Sequence, residues 1–134
     1  MLEIAQQFAT LLDEAKFDEA AQLLAPECTY HYFEGNYQGR DTVINIYRMH
    51  DKNGSKHFDE ARNSSHVVML PDGRFENILS DMLRIGERWH AVHSKEVLTI
   101  TDGFISHIEH VQLPEESRAF FEFLRDTGRI TQSQ

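Results

Sequence analysis

The sequence predicts an α+β domain in which N-terminal helices pack on one face of an antiparallel sheet. Two observations carry this. Apolar residues recur at helical spacing near the N-terminus, and from Ser65 to Leu113 the chain reads as successive strands joined by tight turns. The chain length of 134 residues, 40% of them hydrophobic, suits one core.

Leu2, Ala5, Phe8, Ala9, Leu12 and Ala15 form the apolar stripe of a first helix. The pattern breaks near Lys16. Phe17, Ala20, Ala21 and Leu24 then form a short second helix, with Asp18 as a candidate cap, and Ala25-Pro26 stops it. Aromatic and β-branched residues over 27–33 predict a strand. Gly35 and Gly39 bracket a turn. Asp41 or Thr42 opens a third helix with Val43, Ile44, Ile46 and Tyr47 inward, and 51–65 reads as a polar loop.

Strands follow over 65–70, 75–85, 89–101 and 104–113. The turns between them are Pro71-Asp72-Gly73, Gly86-Glu87 and Asp102-Gly103. Pro114 starts a last helix with Ala119, Phe120, Phe123 and Leu124 inward, and Gly128 ends it. The expected organisation is one domain over 1–128 and a flexible tail over 129–134.

Net charge is −9, from 13 basic and 22 acidic residues. That balance argues against nucleic acid and anionic membrane as partners, since both need a positive surface. No apolar run reaches the roughly 18 residues of a membrane helix. The first residues lack the pattern of a secretory signal. The lone Cys28 suits a reducing compartment, so a cytoplasmic location is expected. No phosphate-cradling glycine loop and no serine nucleophile elbow occur, and no cofactor is expected.

The order of elements, with Phe17–Pro26, Tyr37-Gln38-Gly39-Arg40-Asp41 and Asp102-Gly103-Phe104-Ile105, resembles the nuclear transport factor 2-like superfamily, SnoaL-like or polyketide-cyclase type. That resemblance implies a cystatin-like architecture: a cone-shaped, curved antiparallel sheet with the N-terminal helices on its concave face. Within the superfamily, Tyr30-His31-Tyr32, Ser65-His66 and His93-Ser94 look like scytalone dehydratase. That resemblance implies His66 and His93 as catalytic acid and base, Tyr32 as a substrate contact, and Asp13 as the acid at the end of the first helix. Leu12 stands where that family has a tyrosine. Ketosteroid isomerase, which shares the fold, needs a tyrosine and two aspartates where this chain has Phe8, Tyr32 and Lys95, so its mechanism is not expected.

The chemistry follows from residue types. Imidazoles with pKa near 6.5 can take and give protons at neutral pH. Tyr30 and Tyr32, two apart on a strand, share a face and could polarise a substrate oxygen. Tyr30, Tyr32, Asp13, His110 and Phe8 are the ligand-binding candidates. Each has a plain reading as well: a histidine satisfied on a strand, a core aromatic, a solvated helix-end charge. Among eight histidines, only His107 and Glu109 share a strand face with ligand-like spacing, so no metal site is expected.

The expected function is that of a dehydratase, isomerase or cyclase acting on a small hydrophobic or aromatic ligand. The alternative is a non-catalytic binding or dimerisation module. Apolar residues on both parities of 91–101 predict a sheet covered on both faces, with a second copy of the chain or the final helix as the second cover, and hence a homodimer.

Overall fold

The structure, a computed structural model, describes residues 1–130, and for residues 53–56 the backbone only. The elements are α1 (Leu2–Asp13), α2 (Phe17–Ala21), β1 (Leu24–Tyr32), β2 (Gly35–Gln38), α3 (Arg40–His57), β3 (Glu60–Met69), β4 (Phe75–Ile85), β5 (Arg88–Thr101), β6 (Phe104–Val111) and α4 (Pro114–Asp126). Six strands form one sheet in the order β2-β1-β6-β5-β4-β3.

Four neighbouring pairs are antiparallel, but β1 runs parallel to β6. The sheet is therefore mixed, which corrects the all-antiparallel expectation. Consecutive strands in the C-terminal half are joined by turns and pair antiparallel. β1 reaches β6 only after the whole chain has returned, and no local turn dictates its direction.

α1 ends in a Schellman motif: Lys16 N–H donates to the Leu11 carbonyl (2.8 Å) and Ala15 N–H to that of Leu12 (3.0 Å). This is the break seen in the apolar pattern, and it leaves Asp13 at the end of the helix. Ala15 holds φ at 58°, a left-handed value that glycine accepts without strain. Ala15→Gly is expected to stabilise the domain by about 0.5–1 kcal/mol, read as a raised Tm.

α2 begins after Lys16, so Asp18 lies inside its first turn and does not cap it; its carboxylate accepts from Arg48 of α3 instead. Residues 51–57 continue α3, where a loop is expected from their polarity. The helix is held through its earlier turns, where Val43 and Ile44 are buried and Tyr47 is partly so; tertiary packing outweighs the weak local propensity. Asp102 (φ 53°) and Gly103 (φ 84°) make the two-residue hairpin turn with both φ positive. β2, where a turn is expected, forms a short hairpin with β1.

The concave face is layered by register. Phe75 pairs Leu98, and Leu98 pairs Ile108. These residues, with Phe8, Leu24, Val43 and Ile105, fill a dry core against α1 and α3. The next row is polar: Asn77, Glu96 and His110 stand side by side. Beyond it, Leu79 with Ser94 and Asp81 with Val92 face open space. The domain is thus solid at one end of its concave side and hollow at the other.

Candidate active site

The hollow has two chambers. The inner one, about 300 Å³, is walled by the end of α1, by β1, by Tyr47 and His50 of α3, and by Leu79, Asp81, Ser94 and Glu96 of the sheet. The outer one, about 590 Å³, is walled by Phe58, Leu83, Val92, Phe120, Leu124 and Ile130, among others. Tyr32, His50, Asp51, Asn63 and Asp81 border both chambers and form a waist between them. Arg129 and Ile130, assigned to the tail by sequence, pack here. Arg129 N–H donates to the Leu124 carbonyl (2.8 Å), and its guanidinium lies 3.6 Å from Asp59.

Glu96 is 4% exposed and carries two phenols. Tyr47 donates to Oε1 at 2.7 Å, and Tyr30 donates to Oε2. The two rings stack at 5.5 Å with an 11° interplanar angle. Burial pushes the Glu96 carboxyl up, and the phenol bonds oppose that. Burial beside the same carboxyl pushes both phenols well above their ordinary range, so they remain donors.

Asp13 accepts from Ser65 Oγ at 2.7 Å, tying the end of α1 to β3. Burial pushes its carboxyl up, the Ser65 bond opposes this, and Glu14 adds to the rise. Asp81 is tuned toward neutrality. Burial, then repulsion from Asp13, raise it to about 6, against a weak opposing pull from His93. A carboxyl at that value exchanges protons near neutrality.

Tyr32 completes the wall. Its ring meets Tyr30 at 5.6 Å, His50 at 5.1 Å and His110 at 4.9 Å. Desolvation lowers both histidines, and His50 lowers His110 further, which favours neutral imidazoles at pH 7. Desolvation and the nearby Glu96 raise the Tyr32 phenol.

Of the residues singled out from sequence, Tyr30, Tyr32, Asp13 and His110 line this hollow. Phe8 does not: it is fully buried in the core, edge-on to Tyr47 at 5.9 Å. His66 and His93, expected as the catalytic pair, both face the convex side. Ser65 reaches α1 and Asn63 lines the cavity, so alternation turns His66 outward. Val92 and Ser94 line the cavity, so His93 turns outward between them. Both rings are exposed. His66→Ala and His93→Ala are each expected to leave ligand affinity and any turnover within about twofold of wild type, as substitutions remote from a site do; titration calorimetry and rate assays check this.

Lys95 also faces outward, 4.0 Å from Glu76, and its neighbour Glu96 is the side chain that enters. His107 and Glu109 lie on the convex face, where Glu109 accepts from His31 and meets His107 at 3.2 Å. Among the described residues, no group of three or more His, Cys, Asp or Glu has the geometry to hold a metal ion. Cys28 is buried, its thiol pushed up to about 12, which makes it an inert packing residue. No described helix is long and apolar enough to cross a membrane.

Asp81, Glu96, Tyr47 and His50 were not picked out from sequence as site residues. The signal for Asp81 was parity: Phe75, Leu79, Leu83 and Ile85 share its face of β4, with Asn77 the one other polar residue there. A charge on a mostly apolar face is the informative exception. Glu96 had no such signal, since β5 carries apolar residues on both parities.

No sequence model of a protein family matches the chain, and no curated protein matches it in sequence. Solved structures do match. A proposed polyketide cyclase of Xanthomonas campestris pv. campestris is 13% identical with a TM-score of 0.64, covering 87% of this chain and 93% of its own. An NTF2-like protein of unknown function from Cytophaga hutchinsonii is 11% identical with a TM-score of 0.62, covering 82% and 96%. TerC, co-crystallised with polyporic acid, is 12% identical with a TM-score of 0.63, covering 86% and 90%. At these identities the likeness is one of fold: helices on a curved six-stranded mixed sheet enclosing a hollow, which is the nuclear transport factor 2-like fold, with proposed polyketide cyclases among its structural neighbours.

Proposed function

We propose that this chain is an acid–base enzyme of the cyclase, isomerase or dehydratase kind, acting on a small hydrophobic or aromatic molecule with its own carboxyl groups. One observation carries the reading: Asp81, raised to about 6 by burial and by Asp13, stands at the waist between a polar inner chamber and a mainly apolar outer one. The co-crystallised ligand of TerC supports the ligand class.

In this scheme the Asp81 carboxylate takes a proton from carbon next to a substrate carbonyl. The electron pair moves onto the carbonyl oxygen, where the Tyr32 phenol donates a hydrogen bond to the growing charge. The acid form of Asp81 then returns the proton, to another carbon in isomerisation or to a departing hydroxyl in dehydration. Glu96, with Tyr30 and Tyr47 fixed on it, shapes the polar wall.

The test is deuterium uptake at C2 of 1-tetralone in D2O, followed by NMR. Uptake by wild type and its loss in Asp81→Asn are expected. Equal uptake by both would refute the assignment. Tight binding without uptake would favour the plain ligand-binding module.

A homodimer belongs to the same proposal. Val68 and Met82, both on the convex face, are each 38% exposed, and a second copy is the simplest cover for them. Light scattering should return twice the 15.6 kDa of one chain, and the monomer mass would overturn the expectation.

A further inference from the structure

We propose that the ligand of this hollow is a two-part molecule: an uncharged, oxygen-bearing ring system in the inner chamber and an apolar arm in the outer one. The inference rests on the proposed function and adds the shape and charge of the substrate.

Size is the first argument. A dry cavity of roughly 150 Å³ takes up one benzene. The inner chamber, at about 300 Å³, offers twice that, enough for a bicyclic head. The outer chamber, at about 590 Å³, is larger again and opens from it through the five shared residues. A ligand confined to the inner chamber would leave the larger apolar surface wet and forgo the hydrophobic gain of covering it.

Chemistry divides the chambers in the same way. Oxygen-bearing side chains dominate the inner wall: Asp13, Asp81, Glu96, Ser94 and three tyrosines. These suit hydroxyl and carbonyl groups. The outer wall beyond the waist is mainly Phe58, Leu83, Val92, Phe120, Leu124 and Ile130, which can only match hydrocarbon. The head cannot be anionic. Asp13, Asp81 and Glu96 line the inner chamber and, among the described residues, no lysine or arginine does, so a carboxylate there would sit desolvated among like charges.

The arm reaches past Ala61, which pairs with Leu83 at the outer wall and is itself exposed. Ala61→Phe therefore fills the outer chamber without crowding the core. Leu124→Trp does the same from α4.

The experiment measures binding of three probes by titration calorimetry: 1-tetralone (head alone), 2-benzyl-1-tetralone (head with arm) and 1-naphthoate (an anionic head of similar size). The benzyl compound should bind at least about tenfold more tightly than 1-tetralone, as burial of one aromatic group predicts. Ala61→Phe or Leu124→Trp, whichever folds, should erase that gain and leave 1-tetralone within about twofold of its wild-type affinity. Naphthoate should not compete. Equal affinity for the two ketones, equal loss of both in the filled variant, or naphthoate binding as tightly as 1-tetralone would each overturn the proposal. These readouts do not depend on turnover. An arm-dependent gain without deuterium uptake removes the acid–base reading and keeps this one; uptake without an arm-dependent gain does the reverse.

Discussion

Replacing Asp81 with asparagine is expected to slow proton exchange by about 10²–10⁴-fold, the usual contribution of a positioned acid or base. The wild-type rate should rise with pH through about 6, as the Asp81 carboxyl loses its proton. Removing Asp13's charge with Asp13→Asn takes away the second cause of the raised value, so the profile should move to lower pH.

The Asp81→Asn substitution should also stabilise the fold. Asp81 titrates near 3.8 when unfolded and about 6 when folded, so between those values the native state binds more protons. Stability from this group is therefore present below about pH 4 and is lost as pH rises to about 6. The asparagine variant has no such loss. Its advantage should be nil near pH 4 and reach about 3 kcal/mol at most above pH 6, since each tenfold change in proton affinity is worth ~1.4 kcal/mol. Thermal melts at pH 4 and pH 8 check this. A variant that lost exchange and also lost stability at pH 8 would mark Asp81 as a structural residue instead. Gain of stability with loss of activity is the signature of a group retained for chemistry.

Phe8→Ala should have the largest effect on stability. The ring is fully buried, on the face of α1 that meets the core. Large-to-small changes of this kind cost about 3–5 kcal/mol. For a domain of this size that should lower Tm by roughly 10–15 °C, measured by calorimetry. The damage should also reach the cavity. Phe8 stands edge-on against Tyr47, and Tyr47 holds Glu96. Binding of 1-tetralone should weaken in the folded fraction, although Phe8 lines neither chamber.

The architecture was legible because it rests on local signals. The apolar stripe of α1, the turn residues at 71–73 and 102–103, and Pro114 with Gly128 around α4 each act within a few residues. The parallel β1–β6 pair was not legible, because its direction is set by contacts nearly eighty residues apart in sequence. The two histidines failed for a related reason. A strand fixes that neighbours face opposite ways, but not which way is inward. Ser64, Ser65 and His66 are all polar, so β3 offers no apolar face to settle its orientation there, and the Asp13–Ser65 bond that reveals it is a tertiary contact. On β4 the apolar parity was readable and pointed to Asp81, whereas β5 carries apolar residues on both parities and left Glu96 unmarked.

The parallel join of the first strand to the last has a consequence for how the chain is made. β6 ends at Val111, and β1 gains this partner only when that segment is present. During synthesis the N-terminal helices and first hairpin must wait while most of the polypeptide emerges. Long-range pairing of this sort slows folding and exposes unfinished edges meanwhile. A truncation before residue 104 should therefore leave an aggregation-prone fragment, not a smaller working domain.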